Sequence, residues 1–449
     1  MQPNTLIHLA CAVFIAATST SAFSITLGEA VDLALQNDPV FLAAQASLNV
    51  SRERSAQALS TLLPRLDATA STVHNRRDYT YEAPANTSLL ERYNSNAVQL
   101  NLTQPLWQRA KYISLTQADI VVRQSDYQLA AAGQDLLVRL VQAWFDAMQA
   151  RDEAVFNDAN VLAMRRLWEQ VARANTLGVA PLTELEDARA QYDQALADQA
   201  VAESGQGIKL AALEQIVGPL AQPALPALPE PFTPPDLHRD TLEQWLGQAE
   251  ASSPLILAAQ RALDAAGEEV RKQRAGHEPT LDLVASYGKS TQGAGISGGQ
   301  NGFESRLDTV GIQLNAPLYA GGGQNAKVRE ADAMRQKAKY ELESAVRHVR
   351  STVKQAWFNW QAARVRQQSA LQGLKRATLA VNAAESERDR GVKVELDVLQ
   401  ARGQGEKALR DLHKARYDMV VSYFKLKAAT GQLQGDDLAG LDKGFNGAR

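Results

Sequence analysis

The sequence predicts a mainly α protein with a membrane β-barrel part, built from one helix–strand–strand–helix module used twice. Three observations predict it. The two halves repeat each other at an offset of roughly 212 to 215 residues, each half contains a helical pattern far longer than an ordinary domain can hold, and each half contains two segments of period-two alternation. Ala356-Trp357-Phe358 matches Ala143-Trp144-Phe145, and Pro254-Leu255-Ile256-Leu257-Ala258-Ala259-Gln260 matches Pro39-Val40-Phe41-Leu42-Ala43-Ala44-Gln45. Gly391-Val392, with Asp397, Ala401 and Arg402 behind it, matches Gly178-Val179 with Glu184, Ala188 and Arg189.

In chain order, residues 1–22 read as a signal peptide. Leu6 to Ala17 is an apolar run too short to span a bilayer, and Thr20-Ser21-Ala22 offers a small-residue cleavage site. The region before the run carries no Lys or Arg, and Cys11, the one cysteine, is a poor lipidation site, because His8 stands where an aliphatic residue is wanted and the apolar run continues past the cysteine. Residues 23–218 form the first repeat. Leu27 to Leu35 has helical spacing, Asn37-Asp38-Pro39 breaks it, and helix resumes to about Leu63. Strands follow at about 66–73 and 96–104, separated by a polar stretch from His74 to Asn94. Leu66, Ala68 and Ala70 alternate with Asp67, Thr69 and Ser71, and Val98, Leu100 and Leu102 alternate with Gln99, Asn101 and Thr103. Pro105 is expected to stop the second strand.

From there to Thr176 the period is helical, with no proline and Gly133 as the one glycine. Such a rod is roughly 105 Å long at 1.5 Å per residue. Leu177-Gly178-Val179-Ala180-Pro181 turns it, and Thr183 with Glu186 reads as a capping box opening a return helix to Val217. Residues 219–239 form an extended linker, with seven prolines between Pro219 and Pro235. The second repeat, 240–431, has strands at about 281–287 and 309–316 around a Gly/Ser-rich loop, a rod from about Gln324 to Arg390, a turn at Gly391-Val392-Lys393-Val394, and a return helix ending at Gly431. The polar tail, 432–449, is expected to be loosely held.

Each strand is long enough to cross a bilayer when tilted, and its alternation suits a wall between lipid and water. Open sheet edges are not tolerated in lipid, and four strands cannot close a barrel, because known barrels start at eight. The chain must therefore oligomerise if these are membrane strands, and three copies would supply twelve. The Ala- and Gln-rich rods can pack side by side with one face wet, so a ring of them makes a hollow tube with the turns at Gly178 and Gly391 at its far end.

The formal net charge of −3 gives no basic footprint for nucleic acid. Gly293-x-Gly295-x-x-Gly298 matches a dinucleotide string but has no helix opening after it, and Gly295-Ile296-Ser297-Gly298-Gly299 fails as a nucleophile elbow for the same reason. None of the histidines, His8, His74, His238, His277, His348 and His413, is paired at metal-ligand spacing. Asn86-Thr87-Ser88 is a glycosylation string that matters only in a host modifying exported chains. No catalytic, cofactor or metal site is expected. A soluble periplasmic coiled-coil or adaptor-type protein is the competing reading, and an envelope enzyme would need a convergent polar set that the sequence does not supply.

Three stretches resemble the TolC-like outer-membrane efflux and secretion proteins: Leu27 to Pro39, Leu185 to Leu196 with its Ala188-Arg189-Ala190-Gln191-Tyr192-Asp193 core, and Gly391 to Leu399. The resemblance covers essentially the whole chain after the leader and includes the duplication. It implies a homotrimer with a twelve-stranded β-barrel in outer-membrane lipid and a long α-helical periplasmic tunnel. It further implies a passive duct, without cofactors, that docks through a periplasmic adaptor (membrane fusion) protein onto an inner-membrane transporter of ABC or RND type. By the same resemblance Asp397 matches an acid ringing the periplasmic aperture. Gln400 stands where some relatives carry a second Asp, Glu184 matches a gating acid, and Lys393 matches a basic residue latching the closed state. The acids also sit in first helical turns, which the helix dipole favours in its own right. Leu177-Gly178-Val179 and Arg390-Gly391-Val392 resemble the tips that meet the adaptor, and both are also plain helix terminators. The cargo is not legible in these residues.

Overall fold

The structure is a computed structural model that describes residues 25–80, 88–220, 225, 241–294 and 301–438. The leader with Cys11, Asn86 and Thr87, nearly all of the Pro-rich linker, Gly295 to Gly299 and the end of the tail lie outside these residues. The elements run α1 (Leu27–Asn37), α2 (Pro39–Ser60), β1 (Arg65–Thr80), β2 (Ser88–Trp107), α3 (Arg109–Thr176), α4 (Leu182–Val217), α5 (Leu242–Ser252), α6 (Pro254–Ala275), β3 (Thr280–Gln292), β4 (Phe303–Asn315), α7 (Gly323–Asp389) and α8 (Glu395–Ala429).

The duplication is written in the caps. Thr26 and Glu29 form a capping box on α1, and Thr241 and Gln244 form the equivalent box on α5. Pro39 and Pro254 then open α2 and α6 at the first helical turn. The box expected at Thr183 is absent: the N-cap lies two residues earlier, at Pro181, with no side-chain cap. Proline already fixes the φ the helix needs there.

The strands pair antiparallel in the order β1-β2-β3-β4. They are longer than the alternation suggested, 16, 20, 13 and 13 residues. From His74 to Asp78 the β1 residues are polar on both faces, so the period-two signal fades while the ladder continues, as in Asn75↔Tyr93 and Arg77↔Glu91. Pro105 does not stop β2. A bulge between Pro105 and Trp107 absorbs the missing N–H, and Trp107 still partners Leu281.

Register sorts the sheet into two faces. Leu66↔Leu102, Ala68↔Leu100 and Ala70↔Val98 continue into Leu102↔Ala285 and Leu100↔Tyr287, then into Leu281↔Leu314, Leu283↔Ile312 and Ala285↔Val310. This band is bare in the single chain: Val310, Ile312 and Leu314 are 79%, 67% and 66% exposed. Trp107 at the end of β2 and Tyr319 just past β4 are exposed at its helical end, where amphipathic rings suit a membrane interface. The opposite face carries Asp67, Gln99, Asn101, Ser286, Thr309 and Gln313. In β2, Glu91 and Tyr93 are buried and Ser95 and Ala97 half-buried, whereas Arg92, Asn94, Asn96 and Val98 are exposed. The sheet is thus curled, with its polar face concave and its apolar face convex.

The helices form a second layer below the sheet. At 68 residues, α3 runs about 102 Å. It packs against α2, α4, α6 and α8, while α7 packs against α5, α6 and α8. Midway along, α1 seats Leu27, Ala30 and Ala34 on Leu136, Leu140, Trp144 and Phe145 of α3 and Tyr417 and Phe424 of α8. Leu433 and Leu438 are buried in the same core, and the Gln134 side-chain amide donates to the Leu433 carbonyl at 2.6 Å. The start of the tail is therefore held firmly, against expectation: two leucines there have apolar area to bury. Among the described residues no helix is long and apolar enough to cross a membrane.

Candidate functional site at the helical tips

Both long hairpins turn in the same way at the end far from the sheet. At the first, the Gly178 N–H donates to Asn175 O and the Val179 N–H to Ala174 O; at the second, Gly391 donates to Arg388 O and Val392 to Glu387 O. Both glycines hold φ near +75°, a left-handed conformation that lets these nested bonds close the helix end. The turns leave apolar side chains in solvent: Leu177 and Val179 are each 79% exposed and Val392 is 73% exposed.

Just above the second turn, the Asp397 carboxylate accepts the Val394 N–H at 3.3 Å and so caps α8. Lys393 pairs with Glu387 of its own hairpin at 2.9 Å. The hydrogen bond that Lys393 donates to Glu387 holds its ammonium above its ordinary pKa, and the charge of Asp397 adds to this. Lys393, Asp397, Gln400, Gln404 and Lys407 line one side of a groove of about 560 Å³, with Asn160 of α3 and Gln191 of α4 across it. The structure thus brings Asp397, Gln400 and Lys393 together. Glu184 lies outside this groove, exposed in the first turn of α4.

What pins the start of α8 escaped the sequence. Leu396 and Leu399 pack on Leu167, Val171 and Ala188 of the first hairpin. Trp168 and Tyr192 stack with centroids 5.6 Å apart at 5°, joining α3 to α4. Arg402 reaches Glu385 at 2.6 Å, and Arg410 reaches Glu153 of α3 at 3.0 Å while lying over the Phe156 ring. One signal was available: Arg402 matches Arg189 in the repeat. Higher up, Asp152 receives bonds from Arg151 at 2.7 Å, Tyr417 at 2.6 Å and His413 at 3.1 Å. Burial pushes the Asp152 carboxyl up, and the bonds from His413, Tyr417 and Arg151 more than reverse this, leaving it below the usual aspartate value.

A sequence profile described as "Outer membrane efflux protein" matches residues 30–219 and 245–432, one block for each repeat. The chain belongs to the outer membrane efflux protein family. Among its relatives, outer membrane protein TolC of Vibrio cholerae is 29% identical and aligned over 96% of both chains. The alkaline protease secretion protein AprF of Pseudomonas aeruginosa is 30% identical, over 93% of this chain and 86% of its own. The fold matches the Campylobacter jejuni CmeC outer membrane channel with a TM-score of 0.76 at 17% identity, over 100% of this chain and 98% of that one. This efflux protein is an outer-membrane exit duct whose helical tunnel projects into the periplasm. Its relatives are transport channels.

Proposed function

We propose that three copies of this chain form one duct: a twelve-stranded barrel in the outer membrane above a tunnel of helices, gated at the periplasmic tip. The curled four-stranded sheet carries this reading. β1 and β4 each pair on one side alone among the described residues, the convex face is apolar and the concave face polar, and four strands are too few to close. The margins of the helical layer support it: Val201 and Ile208 on α4 and Phe358, Val365 and Leu379 on α7 stand exposed, apolar area suited to a seam between copies. The duct performs no bond chemistry. It takes cargo from an inner-membrane transporter of ABC or RND type through a periplasmic adaptor, which docks on the apolar tips at Leu177, Gly178 and Val179 and at Arg390, Gly391 and Val392.

Asp397 supplies the aperture's charge. With Gln400 one turn later, the ring is single, and Lys393, held by Glu387, keeps the second hairpin closed on itself. Glu184 adds an acid at the neighbouring turn. A ring of carboxylates attracts cations and repels anions. Asp397→Asn keeps a capping side chain and removes the charge, so reversal potentials across a planar bilayer should move toward non-selectivity while the fold stays intact. Unchanged selectivity would overturn the assignment. For cargo, the name of the protease secretion relative favours proteins over small drugs.

A further inference from the structure

We propose that Arg76 and Arg92 form a site for the phosphate groups of lipopolysaccharide, the phosphorylated glycolipid of the outer leaflet. Both residues belong to the exposed, convex set that continues from Ala70 and Val98 toward the end of the sheet away from the helices. Six residues from Ala70 to Arg76 correspond to about 20 Å of strand and about 14 Å of height at a 45° tilt. That places the two guanidinium groups above the hydrocarbon, at the level of the glycolipid's phosphorylated headgroup and inner sugars.

Arg76 and Arg92 are direct cross-strand partners. Like charges so placed, with Cβ atoms about 5 Å apart, repel each other. The same sheet shows how such a repulsion is relieved from within. Lys289 and Arg306 are also direct partners, and Glu304 bridges them at 2.8 Å and 3.1 Å. No such acid serves the first pair: Arg76 and Arg92 make no ion pair among the described residues, and Asp78 and Glu91 nearby are themselves engaged. An external anion completes the arrangement. Two adjacent guanidinium forks present several N–H donors to one phosphate, the geometry in which arginine binds phosphate best. Phospholipid of the inner leaflet is at the wrong end of the strands to reach them.

The test is mass spectrometry of the intact protein, extracted from outer membranes, titrated with bisphosphorylated lipid A, dephosphorylated lipid A and phosphatidylglycerol. Native protein should bind bisphosphorylated lipid A at least about tenfold more tightly than either other lipid. Arg76→Gln with Arg92→Gln should abolish that preference, Arg76→Lys with Arg92→Lys should keep most of it, and Arg306→Gln should change it by less than about twofold. Equal binding of phosphatidylglycerol, or an unchanged preference in the double Gln variant, overturns the proposal. So does a double Gln variant that loses its oligomer while the residual oligomer binds lipid A normally, which would assign both arginines to the neighbouring copy.

Discussion

The Tyr417 hydroxyl donates a 2.6 Å hydrogen bond to the Asp152 carboxylate, tying α8 of the second repeat to α3 of the first. Burial, and then the Asp152 charge, push the Tyr417 phenol well above its ordinary pKa, so it remains a donor at every pH the envelope meets. Tyr417→Phe removes the donor and leaves a largely buried carboxylate short of a partner. The expected cost is about 1–3 kcal/mol, read as a lower thermal unfolding midpoint. The folded Asp152 pKa is depressed below 3.8, so its contribution is present above that value and is lost as pH falls through the folded pKa. The variant and the native protein should therefore converge in stability only under strongly acid conditions, as an acid titration of the thermal midpoint checks.

Asp38 links α1 to α3 through a two-pronged pair with Arg139, both contacts at 3.0 Å, and its side chain is 3% exposed. The Arg139 hydrogen bonds outweigh burial and hold the carboxyl below its usual range. Arg139→Met keeps the length of the side chain and strands the carboxylate. Loss of a buried partner costs about 3 kcal/mol, at the low end because Arg139 is itself partly wet. Asp38→Asn, which keeps the cap on Phe41, should cost less. Denaturant melts of the two variants side by side decide the order.

The contact between Arg410 and Glu153 bridges the two hairpins, whereas that between Arg402 and Glu385 stays within the second. If the aperture widens by moving the second hairpin away from the first, Glu153→Ala should raise single-channel conductance and Glu385→Ala should raise it less. Equal effects, or none, would show that opening does not run along the α3–α8 seam.

The duplication, the rods, the two turns and the sided strands were legible because each rests on a local period or on a match between halves. Strand length was not: from His74 to Asp78 every β1 residue is polar whichever face it occupies, which leaves no alternation to read. Pro105 was misread because a bulge satisfies what a regular ladder cannot. The turns at the tip were legible in Gly178 and Gly391, which both take positive φ. The tip's fastening by Leu396, Leu399 and Arg410 was not, because the Arg410–Glu153 pair spans 257 residues of sequence and no period connects them. Leu433 and Leu438 were hidden in a polar tail whose composition outweighed the two side chains that anchor it.

The proposed duct stands or falls on closure of the four-stranded sheet between copies. The measurement that tests it most directly is the mass of the detergent-extracted protein from washed outer membranes, by light scattering that separates protein from detergent. A barrel closed by three copies gives three times the chain mass, as an oligomer that dissociates on heating. A monomer mass, or protein released by salt without detergent, would contradict it, because the open edges at β1 and β4 and the bare apolar convex face would then have no cover.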